Sequence, residues 1–375
     1  MSVTAARGFR AAGVCAGLKA SGKPDLALVV NDGPLDTAAG VFTTNRVVAA
    51  PVVWSRRLLA GQEGGRPGHA RAVVLNSGSA NACTGEQGLR DTEATAACTA
   101  GLLRTEPGQV LVCSTGVIGE RIDMPVLLEG IDVAALALAD TPRAGTDAAT
   151  AIMTTDTVSK EDVLTVGTGE KGWTIGGMIK GVGMLAPGLA TMLAVITTDA
   201  VLTPREAQDA LASVTARTVN RINSDGCMST NDTVLLLASG ASGVTPSRAE
   251  FDEALTDVMG RLGRRLVADA EGATHDIAIT VSGAVSEAAA EAAARTVSSS
   301  NLLKCAVAGA DPNWGRVLSQ LGTVPEDVCP FKPDEVDVTI NGVTIFRHGA
   351  PDQDRDSVDM SPRETRIDIA LSAGQ

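Results

Sequence analysis

The chain has 375 residues, 44% hydrophobic and 20% charged, which excludes fibrous and disordered classes and leaves room for two domains or one large layered one. Its formal net charge of −13 argues against a nucleic-acid partner, which needs a clustered basic face, and no apolar run is long enough to span a membrane. Aromatic residues make up only 2% with no Tyr, so Val, Leu, Ile, Ala and Met must fill the core between closely approaching layers.

Met1 to Gly40 lacks the charged, apolar and small-residue succession of a secretory signal, so a cytoplasmic location is expected. Short runs rich in β-branched residues predict strands at Leu26–Val30, Ala72–Leu75 and Val110–Cys113. Gly61 to Gly68, GQEGGRPG, reads as a surface loop. Gly181, Gly183, Pro187 and Gly188 prevent a regular element, and Met192 to Ile196 then form a short buried strand. Thr203 and Ser247 each stand three residues before a glutamate, Glu206 and Glu250, the spacing of a reciprocal helix cap. Ala207, Leu211, Val214 and Val219 follow the first cap; Phe251, Leu255, Val258, Leu262 and Leu266 make an apolar stripe after the second. Strands at Thr233–Leu237 and Ile277–Val281 and a helix from Ser286 to Val297 complete a layered α/β protein.

Seven cysteines without a CxxC pair suggest buried, inert thiols, and His69, His275 and His348 have no metal-ligand spacing. Neither a metal nor a cofactor is therefore expected. Thr191 stands between the glycine-rich stretch and the predicted strand. If the Ala190–Thr191 bond were cut, Thr191 would carry a hydroxyl and an α-amine of pKa roughly 7.7–8.0, making one residue both nucleophile and base. On the residues alone, the favoured reading of the same stretch is an ordinary loop feeding a core strand.

Lys180-Gly181-Val182-Gly183-Met184, followed by Pro187 and Ala190-Thr191-Met192-Leu193, resembles the self-cleavage motif of the ornithine acetyltransferase family, also called glutamate N-acetyltransferase. Asn76 to Gly85, Ser114 to Gly119, Met153 to Thr157, Glu271 to Thr274 and Asp311 to Arg316 resemble that family too, in its order. The resemblance implies a layered αββα-type sandwich of the N-terminal-nucleophile kind with a smaller second α/β region. It also implies an α fragment, residues 1–190, and a β fragment, residues 191–375, that stay together as an α2β2 assembly.

The activity implied is acetyl transfer from N2-acetyl-L-ornithine to L-glutamate through an acetyl-Thr191 ester, in arginine biosynthesis, with acetyl-CoA left open as a second donor. By the same resemblance Thr115 and Gly116 form the oxyanion hole, and Thr157, Lys180, Thr191 and Glu271 bind the amino-acid substrates. From the residues alone, Thr115 reads as a strand-to-turn junction, Lys180 as a solvated side chain and Glu271 as the surface end of a helix. Asn76, Asn81, Asn223, Asp225 and Asn231 read as structural turn residues.

Three departures stand out. His275 occupies a position where the family more often has lysine, and Ser79 departs within the Asn76–Gly85 motif. The chain ends at Gln375 after the segment from Arg366, where the family usually continues with an Asn and a Ser or Thr that contact substrate; an altered pocket is the expectation. Competing readings are an amidase or aminopeptidase with an N-terminal threonine, and an uncleaved inactive binding scaffold.

Overall fold

A computed structural model describes residues 2–185 and 192–374, which form two compact units, one ending at Glu271 and the other beginning at Gly272. Ala190 and Thr191 lie outside the described residues. The first unit runs β1 (Phe9–Val14), β2 (Leu26–Asn31), β3 (Thr37–Phe42), α1 (Ala50–Leu59), β4 (Ala72–Ser79), α2 (Gly85–Leu103), β5 (Val110–Val117), α3 (Met124–Leu136) and α4 (Pro142–Ala151). It continues with β6 (Lys160–Val166), β7 (Trp173–Lys180), β8 (Leu193–Thr198), α5 (Pro204–Arg217), β9 (Thr233–Ala238) and α6 (Arg248–Ala268).

These strands make a four-stranded sheet of order β1-β2-β4-β5 and a five-stranded sheet of order β3-β9-β8-β7-β6. Side chains alternate across a strand, so every second residue can serve the space between the sheets. Leu193 and Val195 of β8 and Leu235 and Leu237 of β9 accordingly join one apolar cluster with Val73 and Leu75 of β4. Helices α1 to α4 pack on the first sheet and α5 and α6 on the second, giving the αββα layering. A Cβ on Gly177 would lie 2.5 Å from Ile196 Cδ1 and 3.1 Å from Leu262 Cδ1, so the glycine lets α6 close onto β7.

Thr203 and Ser247 both form the predicted reciprocal caps. The Phe251, Leu255, Val258, Leu262 and Leu266 stripe is buried along α6, whereas Val219 is buried in a short turn beyond the end of α5. The predicted strands at Ala72–Leu75 and Val110–Cys113 are too short. Both continue four residues further into polar sequence, with Asn76, Ser77 and Gly78 paired in parallel to Ser114, Thr115 and Gly116. The strand predicted from Met192 to Ile196 begins at Leu193 and reaches Thr198. Gly61 to Gly68 lies outside the named helices and strands.

The second unit contains β10 (Asp276–Ser282), α7 (Glu287–Ser298), α8 (Asn301–Ala308), α9 (Trp314–Leu321), β11 (Asp337–Ile340), β12 (Val343–Arg347), β13 (Ala350–Pro351) and β14 (Glu364–Ala370). Its sheet has the order β10-β14-β11-β12-β13. Ala293 and Val297 of α7 and Val317 and Leu321 of α9 pack with Val338, Ile340, Ile367 and Ile369 of the sheet. Ser286 is the cap of α7, one residue before the helix proper.

The expected burial of the thiols needs correction. Cys113 and Cys329 are buried, but Cys15, Cys83, Cys227 and Cys305 are exposed. Cys83 has φ +59° in the turn before α2 and Cys227 caps a turn by donating its amide to Asp225, so backbone position rather than hydrophobicity places them. His275 lies at the entry to β10 with its Nδ1 2.8 Å from Thr274 Oγ1. No helix among the described residues is long and apolar enough to cross a membrane.

Candidate active site

Thr115 and Gly116 stand near the end of β5, where the two sheets of the first unit are tied by polar side chains. Ser114 Oγ donates to Asn76 Oδ1 at 2.6 Å, and Asn231 Nδ2, at the entry to β9, donates to Ser114 O at 2.8 Å and to Ala80 O at 2.6 Å. Gly116 has φ +135°, and a Cβ there would fall 2.3 Å from the Gly78 carbonyl, so no other residue fits this corner. The Thr115 hydroxyl, buried at 3% residue exposure, accepts from Lys180 Nζ at 3.2 Å. Its own hydrogen is thereby left to point elsewhere.

Lys180 is the last residue of β7 and is almost wholly buried. Its ammonium donates to Thr154 Oγ1 at 2.8 Å and lies 3.9 Å from Asp156 Oδ2. Burial pushes its pKa down to about 8; Asp156 resists that shift and the neighbouring Lys160 adds to it. For Asp156 burial acts upward, but Lys180 and Lys160 outweigh it and hold the carboxyl below its ordinary range.

Asp156 accepts from Lys160 Nζ at 2.7 Å, from Gly181 N at 2.7 Å and from Thr154 N at 3.0 Å. Lys160 Nζ also donates to Asp269 Oδ2 at 2.6 Å. Asp269, just past α6, takes the Thr157 amide at 3.1 Å and the Thr157 hydroxyl. Burial raises its pKa less than the bonds from Lys160 and Thr157 lower it. Glu271 follows two residues later and is exposed; its amide donates to Val182 O at 2.8 Å. A Cβ on Gly183 would lie 3.2 Å from Glu271 Oε2, so the carboxylate rests against the segment that follows Lys180.

Thr115 and Lys180 therefore touch directly. Thr157 reaches Lys180 through Asp269, Lys160 and Asp156, and Glu271 reaches it through the backbone at Val182. Ala190 and Thr191 lie outside the described residues, but the amide of Met192, peptide-bonded to Thr191, donates to Asp232 Oδ1 at 2.9 Å. Thr233 N bonds to Met192 O at 3.0 Å, so the Asp232 side chain takes the place of a backbone acceptor where the β8/β9 ladder begins. Asp232 is buried, and burial drives its carboxyl well above its ordinary pKa despite bonds from Met192 and Ser229 and the attraction of Lys180.

Sequence reasoning missed Thr154, Asp156, Lys160, Asp232 and Asp269. Asp156 and Asp269 sat inside or beside recognised motifs, and the acidic residue two positions before Glu271 was the available signal. Lys160 offered none, because it opens the polar edge strand KEDVLTV, where a lysine ordinarily points to water. The expected turn roles hold for Asn81, Asn223 and Asp225, whereas Asn76 lies within β4, where the ladder runs on past the apolar residues, and Asn231 reaches across to Ala80 and Ser114. Asn81 Nδ2 donates to Gly88 O and Thr92 Oγ1, Asn223 accepts from Gly226 N, and Asp225 accepts from Leu185 N and Cys227 N. Among the described residues no group of three or more His, Cys, Asp or Glu is arranged to hold a metal ion.

A family model described as the ArgJ family matches residues 10–375. The arginine biosynthesis bifunctional protein ArgJ of Bifidobacterium longum is 57% identical over 375 residues, covering 100% of this chain and 94% of that protein. The protein of the same name from Streptomyces coelicolor is 54% identical over 374 residues, again covering 100% and 94%. A solved structure of ornithine acetyltransferase complexed with ornithine, from Mycobacterium tuberculosis, is 50% identical over 51% of this chain and 96% of that chain, with a TM-score of 0.47. A match that runs from β1 to the end of the chain, through every segment that builds the Lys180–Thr115 corner, assigns the protein: it belongs to the ArgJ family.

Proposed function

We propose that the chain is an arginine-biosynthetic acetyltransferase that cuts itself at Ala190–Thr191 and moves acetyl from N2-acetyl-L-ornithine to L-glutamate through an acetyl-Thr191 ester. The observation that carries this reading is the Lys180–Thr115 hydrogen bond, which sets a buried cation against the hydroxyl of the proposed oxyanion corner. In self-cleavage the Thr191 hydroxyl attacks the Ala190 carbonyl, the C–N bond breaks as the nitrogen takes the proton, and water opens the resulting ester. In transfer the α-amine takes the Thr191 hydroxyl proton, the oxygen attacks the acetyl carbonyl, and ornithine leaves as its protonated amine. The α-amine of glutamate then collects the acetyl group and frees the hydroxyl.

Thr115 and the Gly116 amide supply donors for the oxyanion of each tetrahedral intermediate, and Lys180, by occupying a lone pair of Thr115, fixes that hydroxyl as a donor. Thr157, Lys180, Thr191 and Glu271 hold the amino-acid substrates, with Lys180 offering a carboxylate partner and Glu271 an ammonium partner. Cutting at Ala190–Thr191 leaves β7 in one fragment and β8 in the other; their pairing from Lys180↔Leu193 to Ile175↔Thr198, with β3 on β9, supports fragments that remain associated. An α2β2 assembly, a cytoplasmic location, independence from any cofactor and use of acetyl-CoA as an alternative donor complete the proposal.

Intact-mass measurement of purified protein tests it. Two fragments, the second beginning at Thr191, are expected for the wild type, and one uncut, inactive chain for Thr191→Ala. An uncut chain that transfers acetyl, or a Thr191→Ala chain that is still cut, contradicts the reading. Acetate release without glutamate would instead make the protein an amidase.

A further inference from the structure

Lys160 is fully buried and held between two carboxylates, and neither of these partners is spare. Its ammonium bridges Asp156 at 2.7 Å and Asp269 at 2.6 Å. Each carboxylate in turn holds a different part of the pocket: Asp269 takes the amide and hydroxyl of Thr157, and Asp156 takes Gly181 N while lying 3.9 Å from Lys180 Nζ. We propose that Lys160 is a positioning residue that keeps Thr157 and Lys180 in register across the amino-acid pocket, a role that rests on the pocket reading given above.

Stability alone does not explain such a residue. A buried ion pair or triad can often be replaced by apolar residues of similar volume without loss, because desolvation offsets the attraction. An inward-pointing lysine also protects an edge strand such as β6 from pairing with another chain. That protection requires neither a second carboxylate nor a connection to Thr157. The bridge does account for geometry: Thr157 precedes β6, Lys180 ends β7 and Asp269 follows α6, so one ammonium pins three elements whose relative placement sets the distance between the two substrate-binding groups.

The arrangement also has an electrostatic signature. The titratable groups acting on Lys180 are Asp156 before β6, Lys160 on β6, Asp232 before β9 and Lys19 between β1 and β2; on cleavage the Thr191 α-amine joins the titrating groups of the site. Lys160 repels the Lys180 ammonium and shares its carboxylate. Removing that charge leaves Asp156 to Lys180 alone, so the pH at which Lys180 loses its proton rises from about 8.

Steady-state kinetics of the full chain test the proposal, with Lys160→Met made in the wild type and in a Thr157→Ala background, pH profiles for each, and melting curves to monitor folding. Lys160→Met is expected to lower kcat/KM for N2-acetyl-L-ornithine about 100-fold in the wild type but only a few-fold on top of Thr157→Ala, because both changes break one unit. The alkaline limb of the profile is expected to move to higher pH. Equal losses in both backgrounds with an unmoved limb would reduce Lys160 to a structural residue. If Thr157→Ala alone leaves kcat/KM unchanged, the pocket reading has failed instead. Should Lys160→Met not fold, Asp269→Asn carries the test: a raised KM with kcat largely kept supports the bridge, and unchanged kinetics overturn it.

Discussion

The two units of the chain treat charge in opposite ways. Up to Glu271, Lys160, Lys180, Asp156 and Asp232 are buried. From Gly272 onward, the buried polar side chains among the described residues are Ser300 and Thr365, while ion pairs such as Arg363–Asp276, Arg347–Asp337 and Lys332–Glu335 sit at the surface. Both units have apolar cores built from the same aliphatic residues. Buried charge is therefore not something this composition imposes; carboxylates such as Asp25, Asp36, Asp91 and Asp199 are buried elsewhere in the first unit, but among the described residues both buried lysines, Lys160 and Lys180, belong to the network that links Thr115 to Thr157.

That contrast can be tested by substitutions of increasing subtlety. The largest effect is expected from Asp156→Asn, which strips the carboxylate shared by two buried ammonium groups and should cost about 3–5 kcal/mol in urea unfolding. A loss below about 1 kcal/mol would show the cluster to be solvated. Thr115→Val removes one proposed oxyanion donor and leaves Lys180 without one of its acceptors, so turnover should fall about 100- to 1,000-fold while Thr115→Ser recovers most of it. Equal turnover in all three forms would remove Thr115 from the chemistry.

Asp232→Asn is expected to change the pH dependence of stability rather than its size at acid pH. The folded protein holds the Asp232 proton above the unfolded carboxylate pKa, so stability from this group is present in acid and is lost as pH rises towards the folded value. Asparagine keeps an acceptor for Met192 N and cannot ionise, so melting curves should favour the variant increasingly as pH rises above about 4, the unfolded value. Parallel curves would mean that Asp232 is ionised in the folded protein. In the second unit Asp276→Asn breaks a half-exposed pair with Arg363 and should cost no more than about 1 kcal/mol.

Much of the frame was legible. Capping boxes at Thr203 and Ser247 and the α6 stripe follow from local chemistry and appear where expected. The site-bearing ends of β4 and β5 were not, because hydrophobic pattern stops at Leu75 and Cys113 whereas the ladder continues through Asn76, Ser77, Ser114 and Thr115. Backbone pairing is indifferent to side-chain polarity there, so the ladder runs on where the hydrophobic pattern has ended. The boundary between units at Glu271/Gly272 left no linker signature in composition, and the Ala190–Thr191 junction lies within the sequence span of the first unit. Motif resemblance supplied Thr115, Thr157, Lys180 and Glu271 individually. The residues that join them, Asp156, Lys160 and Asp269, come from distant segments whose meeting depends on the tertiary fold.

The central proposal is that the threonine following Ala190 becomes an acylated chain terminus. Rapid acid quenching of the protein with N2-acetyl-L-ornithine, without glutamate, followed by fragment mass analysis, tests it most directly. A fragment beginning at Thr191 and heavier by one acetyl group, which returns to its original mass when glutamate is added, is the predicted result. Acetyl transfer with no adduct on that fragment, or with the adduct on another residue, would contradict the account.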